Sequence, residues 1–178
     1  MRFLADNKMV GINVDSLENH WATQGPQYYL TARLAWDPYA DADAIIKDYY
    51  QRAFGPAAEA IENYFNTFEE HYYWLADNYG SWHNRRGVLP AFREYPMTHP
   101  SGGGMAIDEL AKLWLEQAEA NVRDADERFQ KRVAFVRTGY DYITAHLDAM
   151  LEHERSKQLM QFARTDALVL AAVLMHLL

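Results

Sequence analysis

Asp15, Glu18, Asn19, His20 and Trp21 bring two carboxylates, an amide, an imidazole and an indole into seven residues. Carboxylates and amides exchange hydrogen bonds with hydroxyls, and an indole face packs on the apolar face of a sugar ring. The set has the chemistry to bind a polyol. A plainer reading is also open: Asp15 caps a turn, Trp21 belongs to the core and His20 lies on the surface.

Two elements must position this set. Before it, Met9-Val10-Gly11-Ile12-Asn13-Val14 reads as a short β-strand. In an α/β protein the loop after the C-terminal end of a parallel strand is where ligands bind. One strand makes no sheet, so this one implies partner strands outside the chain. After the set, Thr23 or Gly25 can cap a helix with Pro26 in its first turn. Tyr29, Ala32 and Trp36 are helically spaced, and Asp37-Pro38 stops the helix. Residues 1–8 read as the last turns of an earlier helix.

From residue 41 the pattern is helical throughout. Asp41 caps a helix through Phe54, with Ile45, Ile46, Tyr49 and Ala53 inward. Gly55 stands where a left-handed C-terminal residue belongs, and Pro56 opens the next helix. That helix runs to about Asp77 on the stripe Ala57, Ile61, Tyr64, Phe68, Tyr72 and Leu75. Residues 79–105 are rich in Gly and Pro and read as a long irregular segment. Trp82, His83, Arg85, Arg86 and Arg93 there either line a site or form an ordinary surface excursion. A helix over Ile107–Asn121 follows, with Ile107, Leu110, Trp114 and Ala118 inward. Asp124 with Glu127 makes a capping pair for a helix over Ala125–Glu152. A last helix covers Lys157–Leu178.

Composition bounds the chemistry. The net charge of −8 repels phosphate backbones and argues against nucleic-acid binding. Arg85-Arg86 and Lys131-Arg132 are isolated pairs that read as solvated surface. Cys is absent, which removes disulfides, CxxC redox motifs and Cys zinc sites. No His has Glu three positions earlier, HExxH is absent, and the seven His residues are scattered, so no metal is expected. GxSxG, Walker A and a GxGxxG after a strand are missing, so neither a serine nucleophile nor a nucleotide cofactor has support. The apolar run Ala167–Met175 is too short to span a bilayer, which takes roughly 20 residues. Asp6 rules out a signal peptide at the start, and the compartment stays open. Glu69-Glu70, adjacent on a helix, face different directions and read as solvated.

Gly11, then Asn19-His20-Trp21-Ala22-Thr23-Gln24-Gly25, Tyr28-Tyr29-Leu30, Leu34-Ala35-Trp36-Asp37-Pro38, Asp41, Asp43 and Phe54-Gly55-Pro56-Ala57-Ala58 form a series. It resembles an uncharacterised bacterial family whose members look like glycoside hydrolases. In these a (β/α)8 barrel, related to that of α-glucuronidases and hexosaminidases, carries a C-terminal helical region. The match covers residues 11–65. The resemblance implies a mainly α chain in two parts. Residues 1–38 would be the last strand and helix of the barrel. Residues 39–178 would be an antiparallel helical domain. It further implies that Asp15–Gln24 sits at the barrel mouth, with Asp15 or Glu18 as an acidic counterpart. The main catalytic carboxylates of such barrels lie on earlier strands, so no catalytic acid or base is assigned to this chain.

The expected function is therefore the C-terminal portion of a carbohydrate-active enzyme. It would supply one substrate-facing loop and a stabilising helical domain, need no cofactor, and be non-catalytic alone. The competing expectation is a non-catalytic helical binding or interaction module.

Overall fold

The computed structural model describes residues 1–12, 21–79 and 104–176, without the side chains of 75, 76, 78, 79 and 167–176. The fold is mainly helical. In chain order the helices are α1 (Arg2–Asp6), α2 (Trp21–Trp36), α3 (Ala42–Phe54), α4 (Ala58–Tyr79), α5 (Ile107–Val122) and α6 (Glu127–His176), with a 3-10 turn at Gly55–Ala57.

No strand occurs among the described residues. Residues 9–12 have no strand pairing, and Asn13 and Val14 lie outside the described residues. A strand exists only through a partner's hydrogen bonds, and no described segment offers an edge to this one.

Helix α2 begins at Trp21, a turn earlier than Thr23 or Gly25 would set it, so Pro26 falls inside it. An internal proline removes the bond to the carbonyl four residues back, here that of Ala22. Ala22 lies against Gly139 of α6, where an added Cβ would sit 2.8 Å from the Ala22 Cβ and 3.1 Å from its oxygen. The bare glycine is what lets α2 and α6 approach this closely.

Helix α3 keeps its expected bounds. The Asp41 carboxylate accepts from the amides of Asp43 (3.0 Å) and Ala44 (3.2 Å), a cap worth about 1 kcal/mol. Gly55 has φ +52° as anticipated, but its ψ of −115° lies outside the left-handed helical well. That geometry turns the chain directly into the 3-10 segment and on into α4.

The core forms where α3, α4, α5 and α6 meet. Tyr50, Phe54, Ile61, Tyr64, Leu115, Val133, Val136 and Tyr140 fill it. Ala57, Ala60, Ala111 and Ala118 are buried in the same cluster and, being small, let the helices pack closely. The stripe expected on α4 holds through Phe68 and then turns: Tyr72 is exposed and His71, 1% exposed, takes the inward position. On α5 the inward face is Ile107, Leu110, Ala111, Leu115, Ala118 and Val122, with Trp114 only partly buried. The Tyr140 hydroxyl donates to the Asp108 carbonyl (3.1 Å), and Arg137 Nε donates to Glu119 (2.7 Å), tying α6 to α5.

Two expectations at α6 change. Asp126, not Asp124, caps it, its carboxylate accepting from the Arg128 amide at 2.9 Å. The separate helices expected over 125–152 and 157–178 are one, Glu127–His176. His153-Glu154-Arg155-Ser156 contains neither Gly nor Pro to break it, and Lys157 bridges back to Glu154 at 2.8 Å. At 50 residues it is about 75 Å long, and every residue from 152 to 166 is exposed. Among the described residues no helix is long and apolar enough to cross a membrane.

Candidate functional site

Of the residues singled out for sugar chemistry, Asp15, Glu18, Asn19 and His20 lie outside the described residues, as do Trp82, His83, Arg85, Arg86 and Arg93. Trp21 is described. It is the first residue of α2, 55% exposed, with its ring centroid 4.9 Å from that of Tyr28 in an edge-to-face contact. It is therefore neither core nor free: the turn of the helix pins the ring while leaving much of it open to solvent.

Trp21 stands at the rim of a groove of about 400 Å³ between α2, α3 and α6. Tyr29 and Tyr49 line it from α2 and α3, with ring centroids 5.1 Å apart. Phe135, half exposed, lines it from α6. Two guanidinium groups border it, those of Arg52 and Arg132. Arg132 Nη1 donates to the carbonyls of Arg52 (3.1 Å) and Ala53 (3.0 Å). These are orphan carbonyls of the last turn of α3, where a cation also meets the negative end of the helix dipole. Arg52 Nε pairs with Asp48 at 2.6 Å. Each arginine is thus already engaged, Arg132 with the α3 backbone and Arg52 with a neighbouring carboxylate.

Such a groove can hold a flat or ring-shaped ligand against aromatic faces and offer it donors. Among the described residues its lining includes no carboxylate. Among the described residues no group of three or more His, Cys, Asp or Glu side chains is placed to hold a metal ion.

Sequence reasoning singled out Trp21 but not the residues that share the groove with it. Tyr29 and Tyr49 read as helix-packing residues, and Arg132 as half of a solvated pair. Nothing in the local sequence links positions 21, 52 and 132; only the meeting of three helices does.

The groove also sets an alkaline limit on the fold. Burial pushes the Tyr49 phenol up to about 12, with the Arg132 charge pulling weakly the other way. Burial likewise raises Tyr50, to which Glu62 adds. Phenols in an unfolded chain titrate near 10, so these rings are held neutral in the fold. Their contribution is complete below about pH 10 and is lost as pH rises toward 12. Helical circular dichroism should fall across that window together with the rise of tyrosinate absorbance. A chain that ionises Tyr49 there while keeping its full helical signal would contradict this.

A family model described as a domain of unknown function, DUF4838, matches residues 1–66. No curated protein and no solved structure matches the chain.

Proposed function

We propose that the chain is the C-terminal portion of a carbohydrate-active enzyme. The loop Asp15–His20 and Trp21 face the substrate, and the helices after residue 38 stabilise that arrangement as an antiparallel helical domain. Residues 9–14 and α2 serve as the last strand and helix of a (β/α)8 barrel.

One observation carries this reading. Met9, Val10, Gly11 and Ile12 border a small cavity with Leu34, Ala35 and Pro38, so they lie beside the C-terminal end of α2. The chain then returns to the N-terminal end of the same helix at Trp21. A strand and the following helix have this end-to-end relation in a βα unit. Val10 is fully exposed, and Phe3, Met9 and Trp36 are more than half exposed. Neighbouring strands and helices of a barrel would cover such exposed apolar side chains. Asp15 and Glu18, sharing one short loop, cannot stand on both sides of a glycosidic bond. Hydrolysis ordinarily takes two carboxyl groups roughly 5–10 Å apart, so this chain binds and does not cleave.

A glycan array probed with the purified chain tests the proposal, beside a panel of aryl glycosides. Retention of at least one glycan is expected, weakened at least about tenfold, or about 1.4 kcal/mol, by Glu18→Ala, His20→Ala and Trp21→Ala. No aryl glycoside should turn over. If no glycan is retained, or the three variants bind as the parent chain does, the loop is structural and the interaction-module reading takes its place.

A further inference from the structure

A second groove lies on the other side of α2. At about 100° per residue, Trp21 and Tyr29 fall on one face of the helix and Thr23 and Gln27 on the opposite one. Thr23, Gln24 and Gln27 of α2, α4 residues from Tyr64 to Tyr73, and Ile143 of α6 line this groove of about 390 Å³. Its size is within the range of small-molecule sites, about 300–1,000 Å³.

We propose that this groove is a binding subsite for a neutral sugar ring. The chemical class follows from the lining. Tyr72 and Tyr73 are adjacent on α4 and 49% and 59% exposed, with ring centroids 5.8 Å apart and planes at 71°. Two open rings at such an angle form an L-shaped wall, one face to stack on a pyranose and one edge to flank it. The packing leaves them open: His71, not Tyr72, takes the inward position at this turn of α4. Around the wall stand Glu69, Thr23, Gln24 and Gln27, a carboxylate, a hydroxyl and two amides. Together they match the mixed donor and acceptor pattern of vicinal hydroxyls. Gln24 is already oriented, because its Oε1 accepts from the Tyr28 hydroxyl at 2.6 Å. Among the described residues of the lining Glu69 is the one charged group, and it is negative. That favours a neutral ring and disfavours a uronate, which would meet like charge. The other groove, with two arginines and no carboxylate among its described residues, has the opposite bias.

Thr23 and Gln24 stand in the first turn of α2, directly after the loop assigned to substrate. The subsite therefore adjoins that loop and would hold a neighbouring residue of the same chain of sugars. This placement rests on the carbohydrate reading above; the binding itself does not need the loop.

The test is ligand-observed saturation-transfer NMR on the full chain with D-glucose, D-galactose and D-mannose, and the corresponding uronates as acidic controls. At least one neutral hexose should bind. Tyr72→Ala and Glu69→Ala should each weaken it at least about tenfold, while Tyr72→Phe, which keeps the ring, should retain it. Both positions are on the outer face of α4, and unchanged thermal melts of the variants would establish that they fold. The subsite is overturned if no neutral hexose binds, if both alanine variants bind normally, or if the uronates bind as well as their neutral counterparts. The two readings separate by variant. Loss with Glu18→Ala and His20→Ala alone keeps the loop and removes the subsite. Loss with Tyr72→Ala and Glu69→Ala alone does the reverse.

Discussion

Gly55→Ala should destabilise the chain by about 2–6 kcal/mol, although it adds one methyl group. Two independent costs meet at this position. The first is backbone: at φ +52° and ψ −115° an L side chain is strained, at about 1–3 kcal/mol. The second is space. A Cβ at Gly55 would lie 2.6–2.9 Å from three ring carbons of Phe129, and overpacking of this kind costs about 1–3 kcal/mol. Phe129 cannot easily swing away, because its ring packs on the core and carries the Arg128 guanidinium 4.5 Å from its centroid. Urea unfolding reads the loss as a lower midpoint at unchanged slope. Pairing the change with Phe129→Leu should restore the steric part and leave the backbone part. A Gly55→Ala midpoint equal to that of the parent would show that the corner relaxes freely, and the geometry claimed for it would be wrong. The corner also fixes Arg52 and Phe54, so the aromatic groove should lose its shape before the core does.

Much of this corner could be read directly. Asp41, Phe54, Gly55 and Pro56 announce the bounds of α3 by local chemistry alone: a carboxylate that caps, a glycine that reverses, a proline that restarts. Local chemistry also marks the end of α2 at Trp36. It fails where tertiary contacts decide. Pro26 looks like a first-turn residue, yet the helix begins at Trp21 and packs the Ala22 region against Gly139. Asp124 and Asp126 are both plausible caps, and only the path of the chain chooses between them. A break is expected after Glu152, yet the helix runs on through charged residues that are solvated, with Lys157 paired to Glu154 at i, i+3. Tyr72 fits the stripe of α4 by spacing, but the inward position passes to His71. Glu69 and Glu70 read as a solvated pair facing different directions, and both are exposed. Spacing on α4 cannot reveal that Thr23 and Gln27 of α2 stand across from Glu69.

The last expectation concerns Tyr64, at the centre of the core. It is 1% exposed, and its ring lies 5.1 Å from that of Phe65 and 5.2 Å from that of Phe68, both edge-to-face. It belongs to the cluster in which α4, α5 and α6 meet through Leu115, Val133 and Tyr140. Tyr64→Ala removes the ring from a place that only a shift of three helices could refill. Loss of a large buried aromatic costs about 3–5 kcal/mol, and a domain of this kind has about 5–15 kcal/mol in all. The variant should therefore unfold at a much lower urea concentration and become partly unfolded on modest warming. Tyr64→Phe separates ring from hydroxyl. Burial raises the phenol's pKa, Tyr140 adds to the shift and Arg137 opposes it, so the hydroxyl is kept neutral in the fold. Removing it should cost no more than about 1.5 kcal/mol near neutral pH. It should also move the alkaline unfolding to higher pH, because one buried phenol no longer has to stay protonated. If Tyr64→Ala melts within a degree or two of the parent chain, the three helices do not share a single core at this residue. If Tyr64→Phe leaves the alkaline transition unmoved, the burial of the phenol has been misjudged.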